Sequence, residues 1–105
     1  MNINEITLYI DGTFASIELA KIHYFRSYGN YVKLAMQKNT LVAKITTREL
    51  EDSLPEELFL RIHKSYIVNI QKIQVVTDNG ILMDDQTKLP IGKTYKQYVR
   101  RVLSK

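Results

Sequence analysis

The sequence contains no cysteine and no tryptophan, and it has only two prolines and four glycines among its 105 residues. The absence of cysteine excludes a disulfide framework and a thiolate metal site, and it is consistent with a reducing compartment. No apolar stretch approaches the roughly 20 residues that cross a membrane, and no basic segment precedes an apolar one at the start. These absences predict a soluble, cytoplasmic protein with no membrane contact.

The composition is that of a globular protein, with 45% hydrophobic and 25% charged residues. A chain of this length is about one domain with its own core. We therefore expect residues 1–105 to form a single domain.

The net charge of +4 is unevenly distributed along the chain. Residues 21–48, 61–72 and 88–105 carry lysine and arginine but no acid, and acidic stretches separate them. Folded onto one face, these three basic blocks would form a phosphate-binding surface. A mixed, solvated surface explains the charges equally well.

Short runs with turn residues between them predict a mainly β fold. Asp11 and Gly12 separate ITLYI from FASIEL, as in a two-residue hairpin. Asn79 and Gly80 similarly separate IQVVT from ILMDD. The segments HYFRS, YVKLAMQ, TLVAKI and KLPI are four further predicted strands. The sequence therefore predicts about eight strands in small, layered antiparallel sheets.

Two segments have helical patterns. In TTRELEDSL, Thr46 and Glu49 form a capping box, Leu50 and Leu54 share one face, and Pro55 ends the run. In TYKQYVRRVL, apolar residues follow helical spacing, and they are Tyr95, Tyr98, Val99, Val102 and Leu103. The first segment predicts one short central helix and the second a C-terminal amphipathic helix.

Catalytic motifs are missing from the sequence. The side chains that titrate near neutral pH are His23 and His63, and neither lies in a recognisable nucleophile motif. Neither GxGxxG nor GxxxxGK[ST] occurs, and the acids cluster away from both histidines. We expect no enzymatic activity, no metal and no cofactor.

The apolar segment FLRIHKSYIVNI, residues 59–70, carries a basic cluster that strand periodicity does not explain. A structural hydrogen bond explains His63 at least as well as a ligand contact, and Asn69 is similarly suited to bonding backbone groups. Lys64, with Arg61 beside it, provides donors for phosphates or guanine edges.

Four segments occur in a recognisable order, and they read IHYFRSYGNYV, TTRELEDSLP, FLRIHKSYIVN and LPIGKTY. Together they resemble the LytTR DNA-binding domain of bacterial transcription regulators, usually the output half of two-component response regulators. The resemblance covers roughly residues 5–103. It implies layered antiparallel sheets whose loops, instead of a recognition helix, enter successive major grooves and bend the duplex.

By motif position, the resemblance implies three base-reading elements. They are the loop with Asn30 and Tyr31, then Lys64 after the central histidine, and finally Lys93 and Thr94. Each element lies in one of the three basic blocks.

A second group of residues is implied to contact the DNA backbone or to support the loops. Those assigned to phosphates are Lys33, Lys44, Arg48 and Lys96, and those that match the central motif are Arg61, His63, Ser65 and Asn69. Several of the central-motif residues are expected mainly to hold the loop.

The chain departs from the family pattern at Gly92, where a serine is more usual, and at Thr94, the second position of a basic pair. A hydroxyl and a cation are therefore absent from the third contact. This departure puts the affinity or the sequence preference of that contact in question.

The main hypothesis is sequence-specific binding of double-stranded DNA in transcription regulation. The expected partners are promoter repeats, a second copy on the DNA, and a receiver domain if the chain is an excised output domain and not a stand-alone regulator.

Two alternatives remain open at this point. One is an RNA-binding β domain that stacks unpaired bases on Tyr24, Phe25, Tyr28 and Tyr31. The other is a basic module that binds an acidic protein, for which the acidic helix at residues 49–57 is the supporting feature.

Overall fold

A computed structural model describes residues 4–104, and antiparallel strands form most of its regular structure. The ten strands in this range are β1 (Glu5–Ile10), β2 (Thr13–Glu18), β3 (Ile22–Tyr28), β4 (Tyr31–Met36), β5 (Thr40–Lys44), β6 (Phe59–His63), β7 (Tyr66–Asn69), β8 (Ile73–Val76), β9 (Gly80–Met83) and β10 (Lys88–Pro90). The helices there are α1 (Thr47–Ser53) and α2 (Lys96–Leu103), with 3-10 turns at Leu19–Lys21, Ile70–Lys72 and Lys93–Tyr95.

The mainly β fold with two helices is confirmed, with more strands than the eight or so expected. The segment at residues 59–70 contributes two strands, because a turn at residues 64–65 divides it into β6 and β7. Residues 1–3 and 105 of the predicted domain lie outside the described part. None of the helices within residues 4–104 is long and apolar enough to span a bilayer.

Three antiparallel sheets make up the fold. β1 pairs with β2, the order β5-β4-β3-β7-β6 forms a five-stranded sheet, and β10-β9-β8 forms a three-stranded sheet. Successive residues of a strand face opposite sides, and β7 of the five-stranded sheet is accordingly buried on both sides. Ile67 packs in one core cluster and Val68 in the other.

The two core clusters create a layered arrangement. The first packs the sheet against the β1–β2 hairpin and α1, with Leu8 and Leu50 among its members. The second packs the other face against the three-stranded sheet and α2, with Met83 and Val99 among its members. The central sheet is thereby fixed from both sides, and its strand ends are held in place.

The predicted hairpin at Asp11 and Gly12 is confirmed. Both residues have positive φ, 50° and 80°, and Ile10 pairs directly with Thr13 across a two-residue turn. This combination is the turn that matches the twist of a hairpin.

The second hairpin does not turn at Asn79 and Gly80 as predicted. Gly80 opens β9, and residues 77–79 form a three-residue loop. Its closure comes from Thr77, whose backbone N–H and hydroxyl both donate to the Gly80 carbonyl oxygen at 2.9 and 3.2 Å. A threonine that bonds across the loop replaces the glycine turn.

The capping box of α1 is confirmed. The Thr46 hydroxyl accepts from the Glu49 backbone N–H, and the Glu49 carboxylate accepts from the Thr46 backbone N–H, both at 3.2 Å. The hydrogen bond from the Thr46 hydroxyl lowers the pKa of the Glu49 carboxyl. Leu50 is buried beneath this first turn, so the cap fixes the direction in which α1 leaves β5.

The C-terminal helix is shorter than predicted, and its apolar face is only partly buried. Thr94 and Tyr95 belong to the preceding 3-10 turn, and Tyr98 is 45% exposed. Val99 is fully buried. The helix packs along the edge of the second cluster. The side of the helix with Val99 therefore reaches the core, and the side with Tyr98 remains in solvent.

Asn69 is a structural residue at the end of β7. It is buried, its amide nitrogen donates to the Ile22 carbonyl oxygen at 2.9 Å, and its amide oxygen accepts from the Gln71 N–H at 3.0 Å. Replacing it would remove both hydrogen bonds, of which the one to Ile22 is buried and the one from Gln71 is partly buried.

We expect Asn69→Ala to lower the free energy of unfolding by about 2–3 kcal/mol, because the Ile22 carbonyl oxygen loses a buried hydrogen bond and the Gln71 N–H a partly buried one. Urea denaturation followed by circular dichroism measures this change. Asn39→Ala, at an exposed position between β4 and β5, serves as the control and should change stability by less than about 0.5 kcal/mol. Equal stability of the two variants would contradict the structural role of Asn69.

Candidate nucleic-acid interface

Two of the predicted base-reading elements are neighbouring turns at one end of the five-stranded sheet. The turn at residues 29–30 joins β3 to β4, and the turn at residues 64–65 joins β6 to β7. Because β3 and β7 are antiparallel, the last residues of β3 lie beside the first of β7. The Ser27 N–H donates to the Ser65 carbonyl oxygen at 2.8 Å, which joins the two turns.

The third element reaches the same place through Gly92. Its N–H donates to the Ile62 carbonyl oxygen at 2.8 Å, and Lys93 and Thr94 follow in an exposed 3-10 turn. We call the region formed by residues 29–30, 64–65 and 92–95 the turn end of the sheet. The tertiary structure thus brings together three elements that are far apart in the chain.

The absence of a side chain at Gly92 has a steric reason. A Cβ atom there would lie 2.9 Å from Cδ2 of the Tyr95 ring and 3.3 Å from Cα of His63. Glycine therefore allows the Lys93–Tyr95 turn to approach β6 closely. The residue that departs from the family pattern is accommodated by tighter packing and is not simply a missing hydroxyl.

Arg61 holds the turn at residues 64–65 in position. Its guanidinium donates to the carbonyl oxygens of Lys64, at 2.7 Å, and His63, at 3.4 Å. It also forms an ion pair with Glu51 of α1 at 3.1 Å and lies over the Tyr95 ring at 5.8 Å from its centroid. Through one side chain, the turn, α1 and the Lys93–Tyr95 turn are connected.

His63 supports the same turn from the other side. Its Nδ1 accepts the Ser65 backbone N–H at 3.0 Å, and its ring meets the Tyr66 ring edge-on at 5.5 Å between centroids. Since Nδ1 is the acceptor, the neutral ring carries its proton on Nε2. The side chain of Lys64, between these two supports, is exposed to solvent.

The predicted phosphate contacts divide into two groups. Lys33, Lys44 and Arg48 are exposed, and Lys44 ends β5 directly across from Tyr31 at the turn end. Lys96 is directed elsewhere, because its ammonium donates to the Asn79 side-chain oxygen at 3.1 Å in the loop before β9.

Asn69 also lies away from the turn end. It is at the opposite end of β7 from residues 64–65, where it supports the 3-10 turns that flank it. Within the central motif, Asn69 therefore has a structural role, because it stabilises these neighbouring turns.

Arg26 is not among the residues that the sequence predicted for the interface. Its guanidinium lies 4.8 Å from the centroid of the Tyr28 ring and 5.5 Å from that of the Tyr66 ring. The sequence contains a signal for the first contact, since Arg26 and Tyr28 are two apart in a strand and share a face. The contact with Tyr66 depends on the pairing of β3 with β7.

His23, the other histidine, is buried away from the turn end. Its Nε2 lies 3.0 Å from the Asp84 carboxylate, and its Nδ1 has no hydrogen-bond partner. Within residues 4–104, no cluster of three or more histidine, aspartate or glutamate side chains is arranged to hold a metal ion.

Comparisons with known proteins connect this arrangement to a family. The sequence model of one protein family, the LytTr DNA-binding domain, matches residues 12–104 of this chain. In the solved structures, the LytTr DNA-binding domain of a Bacillus cereus protein described as a methyl-accepting/DNA response regulator is similar, with a TM-score of 0.83 and 23% identity. The match covers 99% of this chain and 100% of that one, and at this identity it shows the fold.

Several curated proteins are similar in sequence. The sensory transduction protein LytT of Bacillus cereus is 24% identical over 98% of this chain and 44% of its own length. The heme-containing CO-sensing transcriptional regulator RcoM 1 of Paraburkholderia xenovorans is 23% identical over 94% of this chain and 39% of its own length. This chain thus spans less than half the length of these relatives.

The family model covers nearly the whole described chain, and the fold agrees with a solved member along its full length. The chain therefore belongs to the LytTR family of DNA-binding domains.

Proposed function

We propose that this chain binds double-stranded DNA in a sequence-specific manner and acts in the regulation of transcription. The observation that carries the proposal is the turn end, where three turns with exposed amide, ammonium and hydroxyl groups lie side by side. A LytTR domain is a non-enzymatic fold, and we assign it binding and no catalysis.

The chemistry of the turn end suits base edges in the major groove. Asn30 can donate to and accept from adenine, and the ammonium groups of Lys64 and Lys93 can donate to guanine. The major groove is about 12 Å wide, which admits protein elements larger than a two-residue turn. In this proposal Tyr31 and Thr94 make the accompanying apolar and hydroxyl contacts.

Phosphate contacts complete the proposed binding surface. Lys33, Lys44 and Arg48 are exposed cations near the turn end, and such contacts orient a protein on the duplex without reading sequence. The roles proposed for Arg61, His63 and Ser65 are structural, because their polar groups bond within the turn that presents Lys64.

The relatives support a place for this domain within larger regulators. The LytT and RcoM proteins are named for sensory transduction and transcriptional regulation, and each is more than twice as long as the matched segment. By analogy, we propose that the chain acts in the cytoplasm as the output part of such a regulator, with two copies binding repeated half-sites.

The structure disfavours the RNA-binding alternative. Phe25 is buried in the first core cluster and Tyr24 is partly buried against the second. Of the two exposed rings, Tyr28 and Tyr31, the first is already in contact with the Arg26 guanidinium. The protein-binding alternative loses part of its support as well, since Glu51 of the acidic helix is paired with Arg61.

Duplex affinity should fall steeply with salt, because each neutralised phosphate releases a condensed cation. With about six phosphate contacts, the dissociation constant should rise roughly a thousandfold between about 50 and 200 mM salt. Fluorescence anisotropy with a duplex obtained by binding-site selection measures this. A flat salt dependence, or tighter binding to single strands of the same sequence, would contradict duplex recognition.

Lys64→Ala should weaken binding to the selected duplex by about 1–3 kcal/mol and relax the sequence preference, because a base contact is lost. Lys44→Ala should weaken binding to specific and random duplexes equally, because a phosphate contact is independent of sequence. Affinities of both variants for both duplexes separate the two roles. The same loss on both duplexes for Lys64→Ala would remove its assignment as a base contact.

Gly92→Ser should weaken duplex binding, although it introduces the residue that is usual in the family. The new side chain must displace Tyr95 or β6, which moves Lys93 and is expected to cost about 1 kcal/mol or more of stability. Affinity and thermal unfolding of the variant measure these two effects. Thr94→Lys, which restores a cation without this crowding, is the comparison and should bind more tightly; a tighter-binding Gly92→Ser would refute the steric explanation.

A further inference from the structure

One face of the five-stranded sheet is only half covered. The three-stranded sheet and α2 cover this face over β6 and β7. Over β4 and β5 the same face is open, and it presents residues such as Lys33 and Val42, the latter 53% exposed. The open half of the face begins directly beside the turn end.

Cross-strand register aligns basic and aromatic side chains on this face. Lys33 pairs with Arg26, Arg26 with Tyr66, and Tyr66 with His63, so four strands contribute to one row. The adjacent row contains Tyr28, Tyr31 and Lys44. Directly paired residues lie about 4.5–5.5 Å apart at Cβ, close enough for long side chains to make contact. Neither row contains an acidic residue.

Arg26 is the cation that lies against the aromatic rings of these rows. Its guanidinium is near the rings of Tyr28 and Tyr66, at 4.8 and 5.5 Å from the centroids. Among the residues that the structure describes, no carboxylate forms an ion pair with it. A guanidinium stacked on aromatic rings keeps its planar fork of N–H donors available for an anion.

We propose that Arg26 binds a backbone phosphate of the duplex next to the base pairs read by the turn end, with Lys33 and Lys44 extending the contact along the same DNA strand. This inference rests on the proposed function. Continuity supports it, because Tyr66 connects Arg26 to His63 and hence to the turn that presents Lys64. Charge supports it too, since the rows contain three cations and no acid.

A phosphate suits this position better than a base. Arg26 extends over two rings on the surface of a sheet, whereas Lys64 is presented by a turn that projects from the end of the sheet. Arg26 also lies against Tyr28 and Tyr66, so it occupies a face of each ring on which an unpaired base could otherwise stack. Duplex backbone, and not single-stranded nucleic acid, therefore matches the surface.

The test compares three variants with the wild-type domain on the selected duplex at several salt concentrations. Arg26→Ala should bind roughly tenfold more weakly and reduce the slope of log affinity against log salt by about one, as expected for one lost phosphate contact. Arg26→Lys keeps the charge but loses the planar fork of donors, so its affinity should lie between those of the wild type and Arg26→Ala. Lys38→Ala, which removes an exposed cation at the opposite end of the sheet, should leave the slope unchanged.

A second measurement identifies the phosphate. Neutral methylphosphonates are placed singly along both strands of the duplex, and each is tested with the wild-type domain, Arg26→Lys and Arg26→Ala. At least one methylphosphonate beside the recognised base pairs should weaken DNA binding by the wild-type domain and should not weaken binding by Arg26→Ala any further. If Arg26→Ala fails to fold, the comparison uses Arg26→Lys instead. The same methylphosphonate should then weaken binding by Arg26→Lys less than binding by the wild type.

Three outcomes would overturn the inference. An unchanged affinity of Arg26→Ala means that Arg26 makes no contact, while the proposed function stands. A loss of affinity with an unchanged salt slope, and with the same methylphosphonate effects as the wild type, means that Arg26 only positions Tyr66 and His63. Absence of salt-dependent duplex binding by the wild-type domain rejects the proposed function itself, and the inference with it.

Discussion

The candidate interface depends on one guanidinium. Arg61 lies on the face of β6 that meets α1, and its donors reach two carbonyl oxygens of the turn at residues 64–65 and the carboxylate of Glu51. A tight turn has little internal stabilisation, so bonds from a partly buried, planar donor give it a defined shape. The same side chain lies over Tyr95, which ties the Lys93–Tyr95 turn to that shape.

Antiparallel topology explains why the residues of the candidate interface lie close together. In a sheet of order β5-β4-β3-β7-β6, the end of β3 and the start of β4 must lie beside the start of β7 and the end of β6. Core clusters on both faces hold the middle of this sheet. Polar groups that are free to bind a partner are therefore at the strand ends, and the row through Arg26 extends them across the open half of one face.

Local signals were sufficient for several elements. Asp11 and Gly12 predicted a two-residue hairpin, and Thr46 with Glu49 predicted the start of α1, because each depends on residues within one turn. Contacts between residues that are distant in sequence could not be predicted. Lys96 binds Asn79 and not the turn end, Tyr98 lies outside the core, and Gly92 is needed for a close approach to His63; each depends on a partner distant in sequence.

The sequence by itself determined the mainly β fold, the positions of most turns, and the basic blocks that contribute to the candidate binding surface. Alternation, capping and turn chemistry act over a few residues, so they can be read without the fold. Tertiary structure alone decided which of the polar residues meet. It separated Asn69, as a buried support, from Lys64, and it placed Arg26 against Tyr66, forty residues away, because strand pairing brings together residues that chain order keeps apart.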